Sequence, residues 1–121
     1  MPSEPKRILI VEDEPSLLEL LSFYLTTKLG WEVVAADSGA AALQAFEVGK
    51  FHILLADVDL GDELDGIEVA RRLRNQDPPL KVVMMSGEPK NEAKVREAEV
   101  GAFMAKPFDL PDLGTVLCCE P

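Results

Sequence analysis

The chain has 121 residues, 47% of them hydrophobic and 28% charged, with a formal net charge of −10. That length supports one domain around one core, and the excess of acid opposes nucleic-acid binding, which needs Lys and Arg to displace counterions from phosphates. No apolar run nears the roughly 20 residues that cross a bilayer, and MPSEPKR has no apolar leader segment, so a cytoplasmic protein with neither membrane nor direct nucleic-acid contact is expected.

Residues 1–6 hold two prolines and no periodicity and read as a loose tail, with 7–121 as the single domain. Arg7–Val11 is a continuous aliphatic run, the form of a strand covered on both faces in a parallel sheet, and it ends in Glu12, Asp13 and Glu14. Pro15 suits a first helical turn; Leu17, Leu18, Leu21, Leu25 and Leu29 then repeat at helical spacing up to a stop at Gly30. Leu20 and Phe23 fall beside that stripe, which fits either a wide core face or partner docking. Trp31–Ala36 predicts a second strand, and Ser38-Gly39 opens an alanine-rich helix running to about Val48.

The next stretch, HILLADVDLGDELDG, organises the chain. Ile53–Ala56 is a short buried-strand signal, and Asp57 follows where such a strand would emerge from a sheet. Asp59, Asp62, Glu63 and Asp65 come directly after, and so many carboxylates repel unless a cation or a phosphoryl group gives one of them a use. Ile67, Val69, Ala70 and Leu73 predict a helix that stops before Pro78-Pro79. Leu80–Met85 is a fourth strand ending in Ser86-Gly87. Pro89–Val100 is mostly charged, with Ala93, Val95, Ala98 and Val100 as its thin apolar set, and predicts the least firmly packed helix. Ala102–Ala105 is a fifth strand leading to Lys106-Pro107-Phe108, and Leu110–Cys119 a last helix. Cys118 and Cys119, adjacent, suit neither a disulfide framework nor a zinc site and read as reduced helix residues.

Five strands alternating with five helices predict an α/β fold, a parallel sheet with helices on both faces, because each parallel crossover needs a helix-length connection. Ligands of such sheets bind outside the carboxyl ends of the strands, where the strand order switches direction. Glu12, Asp13, Asp57, Ser86 and Lys106 all follow strand ends, so residues far apart in the chain converge on one edge. Three carboxylates there suit a hard divalent ion of the magnesium type. Asp57 then fits a nucleophile toward a phosphoryl group, Lys106 a positive charge on the phosphoryl oxygens, and Ser86 a hydrogen-bond donor to one of them.

These segments resemble the receiver domain of two-component response regulators. ILIVEDE resembles that family's acidic-pair strand, LLADVDL its phosphoacceptor strand, Asp65-Gly66 the following helix start, VMMSG its hydroxyl-bearing strand, and GAFMAKPF its lysine-proline segment. The resemblance implies a flavodoxin-like, doubly wound (βα)5 three-layer sandwich of strand order 2-1-3-4-5. It implies Mg2+ held by Glu12, Asp13, Asp57 and the backbone carbonyl of Asp59, and phosphorylation of Asp57 by a histidine kinase or a histidine phosphotransfer protein. It also implies a switch through Ser86 and Phe103, and a downstream protein partner on the fourth helix, fifth strand and fifth helix. Such a domain is a signalling phosphoacceptor that catalyses only its own phosphorylation and dephosphorylation. Glu12 departs from the family's frequent aspartate, Leu60-Gly61 from its methionine and proline, Gly87 from its usual alanine, and Phe103 from its common tyrosine. Two rival readings remain. Asp57-Val58-Asp59 matches the D-x-D of haloacid dehalogenase-type phosphohydrolases, although that family places D-x-D on its first strand, and a receiver-like interaction module would work without phosphate.

Overall fold

The computed structural model describes residues 6–61 and 64–118, so most of the expected tail, Asp62, Glu63 and Cys119 lie outside the described residues. The elements alternate as β1 (Arg7–Val11), α1 (Pro15–Leu29), β2 (Glu32–Ala36), α2 (Gly39–Ala45), β3 (Ile53–Asp57), α3 (Gly66–Gln76), β4 (Lys81–Ser86), α4 (Asn91–Ala98), β5 (Ala102–Ala105) and α5 (Leu110–Cys118). All four strand pairings are parallel, and the order is β2-β1-β3-β4-β5, the doubly wound arrangement expected from the sequence.

The aliphatic runs form central strands because both of their faces are covered. Side chains alternate across a strand, so Leu9, Val11, Leu54, Ala56, Val82 and Met84 join one core cluster while Ile8, Ile10, Ile53, Leu55, Val83 and Met85 join the other. The first cluster is closed by Ala42 of α2, Val69, Ala70 and Leu73 of α3, and Val95 of α4; the second by Leu21 and Leu25 of α1 and Leu113 and Leu117 of α5. Each fully buried Leu, Ile or Val contributes about 1.5–3 kcal/mol of transfer free energy, so β1, β3 and β4, lined on both sides, carry much of the burial that holds the fold. Leu20 and Phe23 do not widen the core face: they are 49% and 66% exposed. Among the described residues, no helix is long and apolar enough to cross a membrane.

Several boundaries differ from those expected. Lys6 is not loose, since its carbonyl accepts the Glu32 N–H at 2.9 Å and extends the β1–β2 edge. Trp31 precedes β2 instead of starting it, its N–H closing back on Leu25 O after the left-handed Gly30 (φ 69°), a conformation that costs glycine nothing. α2 ends at Ala45 and not near Val48, because Phe46 leaves the helix with extended ψ 137° and stacks on Phe51, ring centroids 5.5 Å apart, inside the core. Burial of that aromatic pair outweighs one more helical turn. β4 runs one residue later than expected, so that Ser86 still belongs to the strand. α4 is shorter than Pro89–Val100; it ends where Glu99 adopts φ 54°, and within it only Asn91 and Val95 are buried. Cys118 is an exposed free thiol on α5, as read from the sequence.

Candidate functional site

The carboxyl ends of β1, β3, β4 and β5 bring the predicted residues together. Glu12 follows β1 directly; its N–H bonds Ala36 O, and its side chain is buried. Asp57 is the last residue of β3 and is also buried. The residue that lets α3 start against this strand end is Gly66, where a Cβ would lie 1.9 Å from the Asp57 carbonyl oxygen. Only glycine permits that approach, and the Gly66 N–H bonds Val58 O to fix it, with the Asp65 carboxylate capping the helix through Glu68 N–H. Asp13 is exposed, and its Oδ2 accepts the Gly61 N–H at 3.0 Å, tying the loop after β3 to the end of β1.

Lys106 stands between the two buried acids. Its Nζ donates to Glu12 Oε1 at 2.8 Å and to Asp57 Oδ2 at 2.6 Å. The second oxygen of each carboxylate is also engaged, Glu12 Oε2 by Glu14 N–H and Asp57 Oδ1 by Asp59 N–H. Burial pushes the Glu12 carboxyl above its ordinary range, more than the Lys106 ammonium and the Glu14 N–H pull it down. For Lys106, burial alone would lower the ammonium's value, yet the hydrogen bonds it donates to Asp57 and Glu12 raise it above its ordinary 10.5. The lysine is therefore a fixed positive charge at neutral pH.

One carboxylate oxygen from each of Glu12, Asp13 and Asp57 lies within 4.8 Å of the others, a grouping that can hold a metal ion. Every carboxylate oxygen has two acceptor directions, so the hydrogen bonds above leave lone pairs for a cation, and three acids against one lysine leave negative charge for it to neutralise. All-oxygen ligands, one of them exposed, suit a hard ion that keeps several waters. The carboxylate of Asp59 is not part of this group.

That carboxylate turns instead to Ser86. The Ser86 hydroxyl donates to Asp59 Oδ2 at 2.9 Å and accepts the Glu88 N–H at 3.0 Å. Asn91, the first residue of α4, completes the set: its Nδ2 reaches Asp59 Oδ1 at 3.2 Å, Asp59 Oδ2 at 3.0 Å and Ser86 Oγ at 2.9 Å. Neither this use of the Asp59 side chain nor any role for Asn91 is expected from the sequence. Phe103 on β5 is partly buried against the core cluster of the α2, α3 and α4 face, in register with Met84.

The family model of the response regulator receiver domain matches residues 8–117. The chain belongs to that family. Among curated relatives, the alkaline phosphatase synthesis transcriptional regulatory protein PhoP of Bacillus subtilis is 38% identical over 105 residues, covering 85% of this chain. This chain spans only 43% of PhoP's length. The response regulator receiver protein CpdR of Brucella abortus is 38% identical over 114 residues, with 89% of this chain and 90% of CpdR covered. Among solved structures, the response regulator TrrA of Thermotoga maritima, crystallised in complex with Mg2+-BeF, matches at a TM-score of 0.83 and 26% identity, covering 93% of this chain and 96% of that one. This receiver domain is thus a signalling domain of a two-component system with an acidic pocket suited to a metal ion. No observation favours the phosphohydrolase reading, since the acid pair follows β1 and the D-x-D motif β3.

Proposed function

We propose that Asp57 is the phosphoacceptor, taking a phosphoryl group from the phosphohistidine of a histidine kinase or histidine phosphotransfer protein. The observation that carries this is the Lys106 ammonium held on Glu12 and Asp57 beside three carboxylates that share one small volume. Glu12, Asp13 and Asp57, with the backbone carbonyl of Asp59, would hold Mg2+, and the ligation of TrrA with Mg2+-BeF supports that choice of ion. The ion supplies charge neutralisation on the incoming phosphoryl oxygens. An Asp57 carboxylate oxygen attacks phosphorus as the bond to the donor's imidazole nitrogen breaks, and that nitrogen leaves with the electron pair. Lys106 shifts its hydrogen bond from Asp57 Oδ2 to a phosphoryl oxygen, and Ser86 donates to another, so positive charge and donors sit where negative charge collects. Attack of water on phosphorus regenerates the carboxylate and inorganic phosphate.

Incubation with a small phosphodonor and Mg2+, followed by mass spectrometry, tests the assignment. A gain of about 80 Da, one phosphoryl group, is expected in the native chain and not in Asp57→Asn. Equal labelling of the variant would refute the nucleophile. In the same assay Asp13→Ala should lose metal dependence along with most of the labelling.

A further inference from the structure

The hydrogen-bond count around Ser86 closes. A serine hydroxyl has one proton to donate and two lone pairs to accept with. Here the proton goes to Asp59 Oδ2, and the lone pairs take the Glu88 N–H and the Asn91 amide. Both donors of the Asn91 amide are used: one proton goes to Ser86 Oγ, the other is shared by the two oxygens of Asp59. Its burial is equally complete, at 1% exposure, although it starts a helix whose first turn otherwise faces solvent. It makes no cap, since the cap position is Lys90 and carries no side-chain bond. A buried amide with every donor paired favours one geometry, because a move away leaves the buried Asn91 amide or the buried Ser86 hydroxyl short of a partner.

Ser86 therefore has no proton free for a phosphoryl oxygen on Asp57 until it releases Asp59. We infer that Asn91 is a positioning residue for the phosphoryl reaction: it clamps Ser86 to Asp59 in the resting domain and gives way when Ser86 turns to the phosphoryl group. The inference rests on Asp57 as phosphoacceptor. It also makes the first residue of α4 the direct sensor of where Ser86 points. On phosphorylation the Asn91 amide loses one partner outright, and Asp59, facing the new negative charge of the phosphoryl oxygens, is pushed away from the other. A change of one hydroxyl rotamer is thereby passed to a short helix held in the core by Val95, with Ala98 packed partly buried beside it.

The test is titration of the full chain with beryllofluoride in Mg2+, followed by NMR. In the native chain the Asn91 side-chain amide signals should shift with saturation. Asn91→Ala removes the clamp from the resting state only, so beryllofluoride should bind about fivefold tighter, the equivalent of one ordinary hydrogen bond. A merely structural role gives the opposite sign, because loosening α4 would weaken binding. Asn91→Ser keeps a short donor and should fall between native and Asn91→Ala, which also covers a poorly folded alanine variant. In an Asp59→Ala background, which retains the backbone carbonyl, Asn91→Ala should add less than it does alone. Unmoved amide signals with unchanged or weaker binding in both Asn91 variants overturn the clamp while leaving Asp57 as acceptor. No beryllofluoride binding and no labelling in the native chain overturns the acceptor, and the clamp with it.

Discussion

The two halves of the site differ in the elements that carry them. Glu12, Asp57 and Lys106 are set by the central strands β1 and β3 and the close of β5, and the two acids are buried with every oxygen bonded. Ser86, Asp59, Asn91 and Phe103 are spread over the end of β4, an exposed loop position, the short helix α4 and the edge strand β5. The first half suits chemistry, where an attacking oxygen and a lysine must be in place before the donor arrives. The second half suits signalling, where a set of bonds must have an alternative.

Removing Lys106 should break that contrast most severely. Without it two buried carboxylates face each other unpaired; a broken buried pair costs about 3–5 kcal/mol, and partial exposure of the lysine reduces this to about 2 kcal/mol. Lys106→Met should therefore lose that much stability in urea with a chelator present and recover part of it in Mg2+, which replaces the missing positive charge. Ser86→Ala, in the other half, should cost about 1 kcal/mol and show no such recovery. Equal losses in chelator would mean the two halves are not differently built.

Glu12→Gln sharpens the same point through pH, with a smaller effect. The Glu12 carboxyl is raised above 4.5 in the folded chain, chiefly by burial, so the fold binds that proton more tightly than the unfolded chain does. Its contribution is complete below 4.5 and is lost as pH rises through the raised folded value. In chelator the native chain should become less stable relative to Glu12→Gln as pH rises across that window. In Mg2+ the order should reverse at neutral pH, since the ion needs the ionised acid. Parallel pH profiles in chelator would show that Glu12 ionises without cost.

How far the sequence reveals the site follows from the same division. The acidic half was legible because each of its residues terminates a run whose form declares a buried strand, and parallel topology then forces those ends to one edge. Asp57 after Ile53–Ala56 and Glu12 after Arg7–Val11 need no side-chain geometry to be placed. Asn91 and the Asp59 carboxylate were not legible, because what matters is which way a polar side chain turns. Asn91 sits one position inside the helix instead of capping it, and nothing in the composition of residues 89–100 marks it as buried. The early end of α2 was hidden for a related reason: local helical preference continued past Ala45, and the Phe46–Phe51 stack that overrides it is a tertiary contact. Asp65-Gly66 lies between these cases. Its cap is a sequence signal, while the closeness of Gly66 to Asp57 appears only in the packed structure.

The smallest effect on the chemistry itself, and the sharpest on the comparison, is expected from Phe103→Ala. Phe103 makes no bond to the acids or to Lys106; it packs partly buried against the cluster beneath α2, α3 and α4, across the β4–β5 pairing from Met84. Labelling of Asp57 should therefore proceed at close to the native rate. What should change is transmission. If Ser86 leaves Asp59 for a phosphoryl oxygen as proposed, it would vacate space near the end of β4 that the partly buried ring could fill, carrying β5 and α4 into a second packing. Amide shifts on adding beryllofluoride and Mg2+ should then extend from Asp57 and Ser86 through residues 89–106. In Phe103→Ala the ring is gone, so shifts around Asp57, Ser86 and Asn91 should persist while those in Ala102–Ala105 and the later turns of α4 shrink. Native-like shifts throughout would assign the relay to the Asn91 contact alone. Shifts confined to the loops around Asp57 in the native chain would mean that the second half of the site holds one arrangement, not two.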